Sequence, residues 1–103
     1  MTERTAFVLR VRPERLDEYV EAHGAVWPEL LEALKGAGIR NYTIFRSGNE
    51  MFGYFEADDL NAAERYLSEE AVCARWQDAM AGLLEERVPD GGPPPLEEVF
   101  RLD

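Results

Sequence analysis

The sequence predicts an α+β domain of the ferredoxin-like, split βαβ kind, and three observations carry that prediction. Apolar residues alternate at strand spacing from Thr5 to Val11, from Ile39 to Phe45 and from Met51 to Ala57. Between and after these runs, from Pro13 to Gly24, Trp27 to Gly36 and Asp59 to Leu83, they recur at helical spacing. The chain has 103 residues, 46% of them hydrophobic and 11% aromatic. That is enough for one continuous core and short for two.

Each element follows from its residues. In the first strand, Thr5 to Val11, side chains alternate: Phe7, Leu9 and Val11 fall on one face, Ala6, Val8 and Arg10 on the other. Pro13 stops that strand and suits the first position of a helix, where its missing N–H is not needed. Leu16, Tyr19, Val20 and His23 then share one helical face, Asp17, Glu18 and Glu21 turn largely outward, and Gly24 ends the helix. Trp27-Pro28-Glu29 opens a second helix with Leu30, Leu31 and Leu34 as its apolar stripe, closed by Gly36 and Gly38. Ile39 to Phe45 is the second strand. Ser47-Gly48-Asn49-Glu50 has turn chemistry, so Met51 to Ala57 returns as the other arm of a hairpin.

Asp59 is positioned to cap a helix that runs to about Leu67. Ser68 reads as the cap of the next, with Glu69 and Glu70 in its first turn and Val72, Trp76, Ala79, Met80 and Leu83 as its buried stripe. Pro89 to Pro95 is linker-like but too short to separate domains, and Leu96 to Leu102 has the composition of a terminal strand. The order is β-α-β-β-α-β, in one domain over residues 1–103. The strands are apolar on both alternations, and such a sheet is normally covered on both sides. A second copy of the chain, a ligand cavity, or both would cover the face left open by the helices.

Composition narrows the partners. Asp and Glu number 21 against 11 Lys and Arg, a formal net charge of -10. A surface so negative repels phosphate backbones and anionic lipid, which argues against nucleic acid and membrane but says little about a neutral ligand. Cys73 is the single cysteine, so neither an internal disulfide nor a cysteine-based zinc site is expected. The N-terminal residues have no apolar h-region, and no apolar run approaches the ~20 residues of a membrane span. The expected compartment is the cytoplasm.

His23 is the only histidine, and imidazole is the side chain that most readily gives and takes protons near neutral pH. Tyr19 precedes it by one helical turn and shares its face. A phenol and an imidazole projecting together into a cavity can hydrogen-bond a polyhydroxylated ligand and move its protons. The same pair also reads as a helix-end histidine beside Gly24 with a half-buried tyrosine. Tyr42 on the second strand and Trp76 on the last helix are aromatic faces with polar handles, suited to the C–H faces of sugars and equally suited to a core. Trp27 reads as structural beside Pro28, and Cys73 as a small buried residue. No Gly-rich phosphate loop and no metal-ligand spacing is present.

Taken together, these stretches resemble the L-rhamnose mutarotase family from about Arg4 to Leu102. Carrying the resemblance are Ala6-Phe7-Val8 with Pro13 after it, Glu18-Tyr19 followed by His23, Trp27-Pro28-Glu29-Leu30, Asn41-Tyr42, Val72-Cys73-Ala74-Arg75-Trp76 and Glu98-Val99-Phe100. The Tyr-x-x-x-His-x-x-x-Trp-Pro-Glu run is the most specific. The resemblance implies a homodimer of the dimeric α+β barrel type that interconverts the α and β anomers of L-rhamnose without metal or organic cofactor. It implies His23 as the acid/base residue and Tyr19, Tyr42 and Trp76 as substrate contacts. Family members often carry a second Trp after the one matching Trp76; here Gln77 supplies an amide and one stacking surface fewer. A cofactor-free monooxygenase of the same fold type and a non-catalytic sugar-binding dimer are the rival expectations.

Overall fold

A computed structural model describes residues 2–89 and 92–102. Its sheet has three antiparallel strands in the order β1-β3-β2: β1 (Glu3–Arg10), β2 (Arg40–Ser47) and β3 (Glu50–Ala57). Four helices accompany it: α1 (Leu16–His23), α2 (Pro28–Gly36), α3 (Leu60–Ser68) and α4 (Ala71–Ala81). Pro13 opens a short 3-10 turn that leads into α1.

Register fixes the two faces. Phe7 lies opposite Gly53, Leu9 opposite Met51, and Ile44 opposite Gly53 from the other side. These residues share the face that the helices cover. On that face Val11, Tyr19, Met51, Leu83 and Leu84 form one buried cluster. Leu30, Ala33 and Val72 join α2 to α4, and Ile39, Ala57 and Ala63 seat α3 on the end of β3. The other face carries Val8, Phe52 and Phe45 in one cross-strand row, with Phe45 66% exposed.

Local chemistry accounts for the element ends. Asp59 caps α3 as expected, its carboxylate accepting from the Ala62 N–H at 3.0 Å, worth about 1 kcal/mol. Gly38, at φ +84°, turns the chain off α2, and the Ile39 N–H then bonds back to the Leu34 carbonyl at 3.0 Å.

Three expectations need correction. Ser68 does not cap α4; it is the last residue of α3, its hydroxyl donating to the Arg65 carbonyl, and α4 starts after Glu70 without a side-chain cap. Ala79, Leu31 and Val20 face solvent instead of the core, so the apolar stripes are narrower than the spacing implied. The terminal strand is not formed. The segment runs beside β1, joined by a Leu96 N–H to Ala6 carbonyl bond of 2.7 Å and an Arg4–Glu98 ion pair of 2.8 Å, but adds no ladder. Pro93, Pro94 and Pro95 have no N–H to donate, and an exposed ion pair contributes at most about 1 kcal/mol. Val99, Phe100 and Leu102 are 74–89% exposed. Of the linker-like stretch, Asp90 and Gly91 lie outside the described residues.

Candidate active site

Helix α1 ends on His23, and its last turn folds the imidazole back on its own chain. Nδ1 lies 2.9 Å from the Tyr19 carbonyl oxygen. A carbonyl only accepts, so in the neutral ring Nδ1 carries the proton and Nε2 is the basic nitrogen. The imidazole also stacks on the Tyr19 ring, with centroids 4.2 Å apart and planes 27° apart. One turn of helix therefore sets both the tautomer and the plane of the ring.

Trp76 arrives from α4 and stands edge-on to His23 at 5.4 Å. Behind it, Trp27 stands edge-on to Trp76 at 5.1 Å. From the sheet, Tyr42 stacks on Phe55 with centroids 5.1 Å apart and lies edge-on to Phe7 at 6.3 Å. His23, Tyr19, Tyr42 and Trp76, the four residues singled out from sequence, line one cavity of about 130 Å³. A single water needs only roughly 10–15 Å³, so a small organic molecule is the natural scale of occupant. Phe7, Leu9, Ile44, Met80, Leu84 and Val88 give the cavity an apolar wall, and Gln77 and Arg87 add polar groups. The Arg87 guanidinium is 3.3 Å from the Asp78 carboxylate, on the surface.

Burial governs the electrostatics. Tyr19 is 4% exposed, and desolvation pushes its phenol up to about 12. The Tyr42 phenol is pushed up as well, by desolvation first and by Tyr19 second, although 41% of the residue's surface stays open to solvent. A tyrosine can do both when its hydroxyl end is desolvated and its edge is not. Each phenol thus stays protonated across the neutral range and offers an O–H, not a phenolate. Among the described residues lining the cavity none is a carboxylate, and no group of three or more His, Cys, Asp or Glu is placed to hold a metal ion.

Several contributors were not legible in the sequence. Trp27 was read as packing beside Pro28, yet its ring props Trp76. Arg87, Val88 and Pro93 come from irregular chain after α4, which carries no periodic signal. That chain is brought to the site by a bridge between Val11 and Leu84 and by the Arg12 N–H donating to the Leu83 carbonyl at 2.8 Å.

A cavity held between one sheet face and its helices, with one imidazole, two phenols and an indole on its wall, is a candidate small-molecule site in an α+β fold of the dimeric α+β barrel type. A type-II polyketide cyclase from Streptomyces glaucescens shares the fold with a TM-score of 0.68 at 19% identity, over 98% of this chain and 97% of that one. The L-rhamnose mutarotase family model matches residues 4–102. An L-rhamnose mutarotase of Pectobacterium carotovorum is 38% identical over 104 residues, covering 97% of this chain and 98% of the relative. The crystal structure of an L-rhamnose mutarotase from Formosa agariphila superposes with a TM-score of 0.79 at 32% identity, over 98% and 99% of the two chains. The chain belongs to the L-rhamnose mutarotase family.

Proposed function

We propose that this protein is an aldose mutarotase, an isomerase that interconverts the α and β anomers of L-rhamnose. In this reading His23 is the general acid/base and Tyr19, Tyr42 and Trp76 hold the sugar. The observation that carries it is the convergence of the chain's only imidazole, two protonated phenols and an indole on one cavity, in a member of this family.

The chemistry needs proton transfer and nothing else. A base removes the proton of the anomeric hydroxyl while an acid protonates the ring oxygen, and the C1–O5 bond breaks to leave the open aldehyde. Rotation about C1–C2 presents the other carbonyl face. Attack by the O5 hydroxyl, with both protons returned, closes the opposite anomer. Neutral His23, with Nδ1–H held by the Tyr19 carbonyl, has Nε2 free to accept the first proton. A phenol O–H or a bound water supplies the second. No metal or organic cofactor is required for either transfer. The apolar wall suits the methyl group of a 6-deoxy sugar, and the aromatic rings suit its C–H faces.

Saturation-transfer NMR of equilibrated L-rhamnose tests this directly. Micromolar protein is expected to accelerate α/β exchange well beyond the spontaneous rate at the same pH. Exchange no faster than in buffer overturns the proposal.

The same reading makes the protein a homodimer in the cytoplasm, where Cys73 stays a free thiol. No helix among the described residues is long and apolar enough to cross a membrane. Dimerisation is supported by the Val8, Phe52 and Phe45 row on the uncovered sheet face and by the exposed Val99, Phe100 and Leu102. Together they offer apolar area toward the ~1,200 Å² that a stable interface needs. Light scattering at micromolar concentration is expected to give twice the 11.7 kDa chain mass. A monomer would sink this part of the reading.

A further inference from the structure

We propose that Asn41 is a positioning residue for the candidate site, because its left-handed backbone forms the bulge that lets the chain seat Ile39, just before β2, in the core and Tyr42 at the cavity together. The inference deepens the reading of Tyr42 as a substrate contact and rests on it.

Strand alternation creates the problem. Ile39 and Tyr42 are three residues apart, so in a regular strand they would point to opposite faces. Yet Ile39 is buried with Ala57 and Ala63, and Tyr42 lines the cavity on the same side of the sheet. The register shows how. Thr43 lies opposite Tyr54 and Arg40 opposite Glu56, so Asn41 and Tyr42 together stand against Phe55 alone. That is a β-bulge, and it supplies the extra residue that the odd spacing demands.

Asn41 carries the unusual conformation. It is the non-glycine residue with positive φ, at 52°, among the described residues. Asparagine tolerates this region better than most side chains, whereas a β-branched residue is strained there. The bulge is tied down on both sides. The Asn41 carbonyl accepts from the Thr43 hydroxyl at 3.2 Å. Its side-chain amide donates to Glu56 Oε1 at 2.9 Å, and the Tyr54 hydroxyl donates to the other oxygen of the same carboxylate. Arg40, next along, is fastened to Asp58 at 3.0 Å. Tyr42, the second residue of the bulge, stacks on Phe55, so an error at Asn41 would be transmitted to the ring.

The test compares Asn41→Val with Asn41→Gly. Glycine adopts positive φ freely, so Asn41→Gly should keep the bulge while losing the amide bond. Ring-to-ring NOEs from Tyr42 to Phe55 and Phe7 report its placement without any assay of activity. Asn41→Val is expected to lose these NOEs and to raise the KM for L-rhamnose roughly tenfold or more, within the range that misplacing a binding group reaches. Asn41→Gly is expected to keep the NOEs and a KM within about twofold of wild type. Should Asn41→Val fail to fold, Asn41→Ala, strained less at the same φ, takes its place. An Asn41→Val protein with wild-type NOEs overturns the proposal, and so does an Asn41→Gly protein that loses them. If the wild-type protein does not turn over L-rhamnose, the functional reading falls while the NOEs still decide the placement.

Discussion

His23→Ala is expected to remove most of the catalysed anomer exchange, by roughly 10²-fold or more, while the protein stays folded. The size follows from what the ring does in the proposed reaction: it is the one group that can take a proton from the anomeric hydroxyl and return it at neutral pH. The phenols cannot replace it, because desolvation holds the Tyr19 proton up to about 12 and pushes Tyr42 in the same direction. No carboxylate stands on the described cavity wall to take over. The fold is expected to survive because the imidazole is only half-buried and its hydrogen bond is local to α1, so its loss costs Tyr19 and Trp76 one ring contact each and no buried side chain. Saturation-transfer NMR measures the exchange and circular dichroism the fold. A folded His23→Ala protein that exchanges anomers at the wild-type rate would make the histidine structural.

What could be read from sequence and what could not divide along physical lines. His23 and Tyr19 were legible as a pair because i,i+4 spacing on a helix is a geometric statement, and the structure stacks them. Tyr42 and Trp76 were singled out by chemistry and resemblance, and only tertiary packing shows that they meet at one cavity. The bulge at Asn41 was hidden because sequence spacing does not reveal where a strand gains a residue. What was predicted as a fourth strand, from Leu96 to Leu102, remains irregular. Its composition favours a strand, but a β-strand needs a partner for its backbone and a surface for its side chains, and composition supplies neither. Arg87 and Val88 reach the site on irregular chain, whose path depends on contacts far away in sequence.

The most damaging single methyl group is expected at Gly53. Gly53 is the hub of the sheet, opposite Phe7 on β1 and opposite Ile44 on β2. The Phe7 ring lies flat over it. A Cβ built there would overlap Phe7 Cζ and come within 2.5 and 2.7 Å of the two Cε atoms. Phe7 has little room to yield, since it is 6% exposed and packs edge-on to Tyr42 and tilted against Phe55, two rings that stack on each other. Gly53→Ala must therefore swing that ring into the cavity or lift β1 off β3. Overpacking of this sort costs roughly 1–3 kcal/mol. For a domain of about 100 residues each kcal/mol lowers Tm by roughly 4–8 °C, so a fall of about 5–20 °C is expected. Sugar binding should weaken at temperatures where the variant is still folded, because Phe7 and its neighbour Tyr42 both line the cavity. Trimming the ring supplies the control. In Gly53→Ala/Phe7→Leu the clash is removed, so the double variant should be less destabilised than the sum of the two single changes. Thermal melts of the four proteins decide it: a Gly53→Ala protein that melts within 2 °C of wild type, or strictly additive losses, would show that the Phe7 ring can move aside freely.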